Sequence, residues 1–469
     1  MTSSTAGCRG CSKKRSVPTA EEARPPVPSP PIQPSLTPFD TAMVVVSLVI
    51  GIGIFRTPAL VAGATGSAGR FLTAWIIGGL ASLTGALVFA EIGSRYPRAG
   101  GFYKVVAHCW NPMTAFLLNW AQVLMQGAGA AGVAVIGAEY LLRLPRGGAS
   151  SGRAAFLVGA AMVAGLCALN ALGIRAGARA QNLLSLAKIA LIAGLALAGL
   201  LLPVSARPGM TMPSDAGDSS AGMLAALVAV FYAYGGYQNT VNLAADVRDA
   251  RRGLPLGICA GMGIVIAVYL AVNAAYVRVL GAAGVTASPL VAADLARAVL
   301  GRWGEAFVSM AIFLSAAGFV NATILHVPRG YLAMAQDRLL PGALGRVDAR
   351  TQAQPVGLLF FAATALLPLF VLSAFDQLLA YVMFTDTLSL AVLASCLFIL
   401  RRRGEGSGAG VWSMPGYPWL PAAFVLILLG LAADVLFRQT RLALGGIAIV
   451  VAGVPLYFLM RRSWREAAS

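Results

Sequence analysis

The sequence predicts an all-α polytopic membrane protein of twelve transmembrane helices: a 5+5 inverted-repeat core with broken helices 1 and 6, plus two C-terminal helices. Hydrophobic residues make up 58% of the chain and charged residues 11%, whereas a soluble domain carries about 25% charged residues. Apolar runs of the roughly 20 residues that cross a bilayer recur along the chain. Two of these runs are broken by paired small residues, Gly51-Ile-Gly53 and Tyr234-Gly235-Gly236, whose final glycines lie 183 residues apart.

Residues 1–39 are charged, proline-rich and without an apolar core, which reads as a disordered cytoplasmic tail rather than a cleaved signal peptide. Spans follow at 40–65, 71–93, 110–142, 154–172 and 181–202, and form a first repeat over 40–202. After an outer loop at 203–219 come 220–245, 256–280, 305–335, 356–373 and 376–400, a second repeat over 220–400. A cytoplasmic loop at 401–417 leads to the spans 418–437 and 442–460, and 461–469 is a cytoplasmic tail. Because each repeat has an odd number of spans, the second enters the membrane in the opposite sense to the first. Interrupted helices at matching places in two such halves point to the central site of a secondary transporter.

The formal net charge of +17 would suit a nucleic-acid partner if it gathered on one surface. With alternating spans and a cytoplasmic N-terminus, however, 24 of the 35 lysines and arginines fall in the inner tails and loops when Lys188 and several loop-edge arginines are counted with them. That is the bias of a multi-pass protein of the cell inner (cytoplasmic) membrane with both termini in the cytoplasm, and a lipid bilayer rather than nucleic acid is the expected partner. The outer loops hold no cysteine, so no extracellular disulfide is expected. Cys8-Arg-Gly-Cys11 has metal-ligand spacing, but no second pair or nearby histidine completes a site, and neither a metal nor a cofactor is expected.

An unwound segment inside a span leaves N–H and C=O groups without helical partners, which is tolerable in lipid only around a cavity. The N–H groups near Gly51, Ile52 and Gly53 would open the outer half of helix 1, whose positive dipole end favours an anion such as a carboxylate. The carbonyls around Val49 and Ile50, and those of Phe231, Tyr232 and Ala233, offer the reverse polarity to an ammonium. A zwitterionic amino acid matches both ends and leaves its side chain to meet Tyr232, Tyr234 or Tyr237. Gly51, Gly53, Gly235 and Gly236 keep Cβ atoms out of the way; their alternative reading is as packing notches between membrane helices.

These residues resemble the amino acid–polyamine–organocation transporters, most closely the L-type amino acid exchangers and their bacterial relatives. Gly51-Ile-Gly-Ile-Phe55 with Thr57-Pro58 resembles the first-helix motif. Ala90-Glu-Ile-Gly-Ser-Arg-Tyr-Pro-Arg-Ala-Gly-Gly-Phe-Tyr103 resembles the second-to-third helix signature, and Phe231-Tyr-Ala-Tyr-Gly-Gly-Tyr237 with Arg251-Arg252 and Pro255 resembles the sixth-helix motif and its loop. The resemblance covers about 40–460. It implies alternating access, carboxylate binding at the first break, amine binding at both, and Tyr232 as an aromatic gate. It also implies that Lys188, in an otherwise apolar fifth helix, stands where sodium-coupled relatives bind the ion; the alternative is a lysine reaching the inner interface. Ala244-Ala245-Asp246 keeps one acid where relatives commonly show two. The loop near 143–153 lacks the cysteine that joins animal exchangers to a glycoprotein, so no disulfide-linked subunit is expected.

Other polar residues fit gates. Arg56, just beyond the first break, reads as an outer-gate ion pair, a snorkelling side chain or a substrate contact. Glu91 and Arg95, four apart on one helix face, and Asp246 read as inner-gate or interfacial residues. Glu139, Asp386 and Asp434 are candidate proton carriers. Gly127-Ala-Gly-Ala-Ala-Gly132 matches a dinucleotide pattern without its strand context, and no phosphate-binding G-x-x-x-x-G-K-[ST] loop occurs, so neither nucleotide chemistry nor ATP-driven transport is expected. No nucleophile–base pair suggests an enzyme. The expected function is sodium-independent secondary transport of amino acids, by exchange or proton coupling. A polyamine or organic-amine carrier and a non-transporting membrane sensor or scaffold are the alternatives.

Overall fold

Thr37 starts the first helix with a reciprocal cap. Its hydroxyl accepts the Asp40 N–H at 3.2 Å, and the Asp40 carboxylate accepts the Thr37 N–H at 2.7 Å. Pro38 takes the first helical position, where no N–H is needed. The helix so begun, α1 (Pro38–Val49), is buried at every residue from Thr41 to Val49, as befits a helix that is apolar all round in the middle of a bundle. It ends at a bend of 51°, beyond which the chain resumes as α2 (Gly53–Thr65).

The computed structural model describes residues 32–51, 53–143, 152–202, 220–288, 290–371, 375–408, 410–438 and 440–466. Cys8, Cys11, Ile52, most of the leader and the loop at 203–219 lie outside these residues. After α2 come α3 (Ala68–Arg95), α4 (Gly101–Cys109), α5 (Pro112–Arg143), α6 (Gly152–Ala171), α7 (Ile174–Leu201) and α8 (Ser220–Ala233). A 3-10 segment, Tyr237–Asp246, precedes α9 (Ala250–Ala287), α10 (Val291–Leu300), α11 (Gly304–Gln336), α12 (Pro355–Val371), α13 (Phe375–Arg402), α14 (Trp419–Arg438) and α15 (Thr440–Glu466). Most expected spans overlap helices, but α8 stops at Ala233 within the expected span 220–245; α4 and α10 were not anticipated, because they are too short to register as membrane-length apolar runs.

Among the described residues eight helices (α3, α5, α6, α7, α9, α11, α14 and α15) are long and apolar enough to cross a membrane, and the bent pair α1–α2 makes a ninth. The described residues contain no sheet, only an isolated parallel bridge between Leu36 and Val247. The chain is an all-α multi-pass membrane protein. α11 packs against α5 and α7, and α9 against α1, α3 and α7, so these helices fill the middle. The outside carries large apolar side chains, with Leu157 of α6, Leu426 of α14 and Leu459 of α15 each more than half exposed. Such a surface would aggregate in water; in hydrocarbon it needs no cover.

Candidate functional site

At the first break Ile50 leaves the helix with φ −74° and ψ 82°, and the Gly51 N–H turns back to the Val49 carbonyl at 2.8 Å. Two side chains from other helices take the Ile50 carbonyl: Lys188 Nζ of α7 donates at 2.8 Å and Ser315 Oγ of α11 at 2.9 Å. Lys188 is fully buried. Its ammonium also donates to the carbonyls of Ser47 at 3.4 Å and Ser315 at 3.2 Å, so carbonyl dipoles surround a charge that bare hydrocarbon would not accept. Below it Ser185 of α7 donates to the Met43 carbonyl and lies 2.8 Å from Ser47 Oγ.

The second break begins where α8 stops at Ala233. The Gly235 N–H donates to the Tyr232 carbonyl at 3.1 Å, and Gly236 takes φ 125° and ψ −32°, a conformation that favours glycine. A Cβ on Gly236 would stand 2.5 Å from the Leu48 carbonyl, while one on Gly53 would stand 3.6 Å from the Ala233 Cα. The two interruptions therefore lie against each other. Beyond Gly236 the chain continues as 3-10 helix, not as the α-helix expected to 245. Local side chains explain this: Gln238 Oε1 accepts the Gly236 N–H at 2.9 Å and Thr240 Oγ1 donates to the Tyr237 carbonyl at 2.7 Å, offering the backbone partners outside an α-helical ladder.

Tyr269 of α9 joins the two breaks. Its hydroxyl lies within hydrogen-bonding reach of both the Val49 and the Ala233 carbonyl. Tyr232 turns towards α13, its hydroxyl 3.0 Å from Thr387 Oγ1. Tyr234 and Tyr237 instead turn towards α3: Tyr234 donates to the Trp75 carbonyl at 3.5 Å, and the Tyr237 ring lies 6.1 Å from that of Phe89. Phe231 packs on Phe424 of α14.

At the end of the bundle where α1 begins, the residues before α1 are tied to the end of the 3-10 segment. The N–H groups of Ser35 and Leu36 both donate to the Asp246 carbonyl at 2.8 Å, and the Arg248 N–H donates to the Leu36 carbonyl at 2.8 Å. Asn182 of α7 donates to Asp40 at 2.6 Å. The Asp246 carboxylate is held by Arg329 of α11. Glu91 accepts from Arg95 Nε at 2.6 Å, as its spacing suggested, and also from Arg401 Nε at 2.7 Å, Arg401 Nη2 at 2.6 Å and the Met414 N–H at 2.8 Å. Glu91 thus ties α3 to α13 and the loop after it. Arg98 stays apart, over the Tyr96 ring. Arg56 is exposed on α2 and has no ion-pair partner among the described residues. Asp386 accepts from Gln122 at 2.6 Å.

Tyr269, Ser315, Arg329 and Arg401 were missed by sequence reasoning. A tyrosine or serine in an apolar run carries no signal of its own. Arg329 and Arg401 read as membrane-edge charges, although a buried arginine about two turns inside an apolar helix, as Arg329 is in α11, is itself a flag. No group of three His, Cys, Asp or Glu residues able to hold a metal occurs among the described residues.

The sequence pattern of the amino acid permease family matches residues 36–454. The chain is 28% identical to the serine/threonine exchanger of Bacillus subtilis over 89% of this chain and 94% of that protein. It is 26% identical to the human cystine/glutamate transporter, over 89% of this chain and 83% of that one. It is also 26% identical to the human large neutral amino acids transporter small subunit 2, over 89% and 78%.

Proposed function

The chain belongs to the amino acid permease family, and from that premise we propose that it carries amino acids by alternating access around its two interrupted helices, as a sodium-independent secondary transporter. The observation that carries this reading is the meeting of the two breaks, Leu48 against Gly236 and Gly53 against Ala233. Backbone groups of both polarities that leave the helical ladder gather there, with the Val49, Ile50 and Ala233 carbonyls served by side chains, an arrangement that suits a polar cargo between interrupted helices.

In this reading the substrate carboxylate sits on the N–H groups that open α2, near Gly51, Ile52 and Gly53. A Cβ on Gly51 would meet nothing within 4 Å, which leaves room beside it. The ammonium shares the Val49 and Ala233 carbonyls, since each oxygen has a second lone pair beyond the one facing Tyr269. Lys188 supplies at Ile50 the positive charge that a coupling cation would otherwise bring. Tyr232, tethered to Thr387, closes over the cargo. Asp246 with Arg329, and Glu91 with Arg95 and Arg401, hold the inner side shut. Exchange is favoured because one relative is itself a serine/threonine exchanger.

The finer architecture belongs to the same reading. Counting α1–α2, α3, α5, α6, α7, α8 with its 3-10 continuation, α9, α11, α12, α13, α14 and α15 gives twelve spans, with repeats over 40–202 and 220–400. Both termini lie in the cytoplasm and the membrane is the cell inner membrane, as the bias of basic residues supports.

Purified protein in liposomes loaded with unlabelled amino acids, assayed for uptake of radiolabelled L-serine, L-threonine or L-leucine, tests this. Trans-stimulated uptake without sodium is expected. No uptake of any amino acid by verified folded protein would sink the reading, and diamine uptake would replace it with an amine carrier.

A further inference from the structure

Arg329 belongs to α11 in the packed middle of the bundle, whereas Asp246 ends the 3-10 segment that hangs from the second break. The Asp246 carboxylate lies across the guanidinium fork: Nε donates to Oδ2 at 2.9 Å and Nη2 to Oδ1 at 2.8 Å. Nη2 donates further to the Gln352 carbonyl at 3.2 Å. The side chains are only 4% and 0% exposed. The remaining nitrogen, Nη1, is buried without a partner. Arg329 lines a small hollow together with Asn170, Gln352, Gln354 and apolar residues that include Ile324 and Leu358. Two more buried atoms of these lining residues lack partners, the donor Gln354 Nε2 and the acceptor Asn170 Oδ1. Three residues that line the hollow thus each carry a buried polar atom that the fold does not use, two of them donors and one an acceptor.

We propose that Arg329 is a second carboxylate-binding site for the transported amino acid, on the release side, filled by Asp246 in this closed arrangement and by the cargo when the 237–246 segment moves away. The proposal rests on the alternating-access reading above. When the segment leaves, α11 keeps Arg329 while its counter-ion departs, and a buried guanidinium without a counter-ion is strongly unfavourable. The α-carboxylate of an amino acid has the same two-oxygen geometry as Asp246 and fits the same fork. Gln354 Nε2 adds a donor to that carboxylate, and Asn170 Oδ1 accepts from the ammonium. The hollow measures about 20 Å³ while closed, room for about one water, so cargo enters only after Asp246 has gone. Opening is then favoured by cargo and disfavoured when the protein is empty, which is the behaviour of an exchanger rather than a uniporter.

The test measures L-serine exchange in oriented liposomes, with the half-saturating concentration determined separately at each face. Gln354→Leu leaves the ion pair intact, and the double variant Arg329→Gln with Asp246→Asn removes it without stranding a charge. Both are expected to raise the inner-face half-saturating concentration at least fivefold, and Gln354→Leu, which keeps the Asp246–Arg329 gate, to change the outer-face value less than twofold. The double variant is also expected to gain net uptake into empty liposomes. Equal changes at both faces in Gln354→Leu, or none at either, would overturn the second site while leaving transport standing. Failure of the unsubstituted protein to exchange would overturn the transport reading and the second site with it.

Discussion

The hydroxyl of Tyr269 lies 3.0 Å from the Val49 carbonyl, and the same oxygen is 3.3 Å from the carbonyl of Ala233. A phenol has one proton, so it serves one carbonyl fully or both partly. Either way one rigid side chain on α9 ties the end of α1 to the end of α8, and the two interrupted helices are held as a pair. Tyr269→Phe removes the hydroxyl and keeps the ring. Leaving buried carbonyls underserved costs about 1–3 kcal/mol, which is about tenfold in rate for each 1.4 kcal/mol that reaches the barrier. Exchange slowed about tenfold, with the protein still folded, is expected in liposome assays; an unchanged rate would show that the breaks hold together without Tyr269.

Lys188 reaches Ile50 through a gap kept by a glycine. A methyl on Gly318 of α11 would stand 3.2 Å from Lys188 Nζ, 3.1 Å from its Cε and 2.9 Å from Ser47 Oγ. Gly318→Ala should therefore push the ammonium off the Ile50 carbonyl, with an overpacking cost of about 1–3 kcal/mol. Lys188→Ala removes the charge outright. Both variants should slow exchange more than they weaken equilibrium binding of L-serine, measured as ligand-induced thermal stabilisation. Loss of binding with an unaltered turnover would instead place Lys188 among the direct substrate contacts.

Glu91 carries the opposite kind of prediction, one of stability. It is fully buried and ion-paired with both Arg95 and Arg401, whose side chains are 8% and 20% exposed. Removing one partner from a buried ion cluster costs about 3–5 kcal/mol, so Glu91→Gln should lower the thermal midpoint in detergent well below that of the unsubstituted protein. Combining Glu91→Gln with Arg401→Gln should cost less than the sum of the single changes, because the two share one interaction. Strict additivity would deny that Arg401 depends on Glu91.

The parts of this architecture that were legible in the sequence are those where a residue type is incompatible with an uninterrupted membrane helix. Paired glycines mark the places where α1 and α8 stop because they alter what the backbone can do locally, and Lys188 shows because an ammonium in an apolar run demands partners. Glu91–Arg95 shows because four residues make one helical turn. Arg401 does not show: it lies 310 residues from Glu91, beside two other arginines, and looks like an ordinary interfacial charge until the fold brings α13 to α3. Tyr269 is invisible for a similar reason, since an aromatic ring suits a buried helix whether or not its hydroxyl has a task. The change from α to 3-10 helix after Gly236 was likewise hidden, because it depends on which local side chains win the backbone donors.

The glycines of the two breaks should differ in what an added methyl does, and that difference separates folding from binding. At Gly236 the backbone sits at φ 125° and a Cβ would collide with the Leu48 carbonyl, so alanine there adds about 1–3 kcal/mol of strain and parts the two breaks. Gly236→Ala should lose exchange and lower the thermal midpoint together. At Gly51 a Cβ would meet nothing within 4 Å, so Gly51→Ala should fold with a near-normal midpoint. Its methyl would nevertheless occupy the space beside the α2 N-terminus where the carboxylate is placed, and should raise the half-saturating concentration of L-serine about tenfold or more, the price of roughly 1.4 kcal/mol of lost contact. Gly51→Ala protein that exchanges L-serine with an unchanged half-saturating concentration would remove the carboxylate from that position, whatever becomes of Gly236.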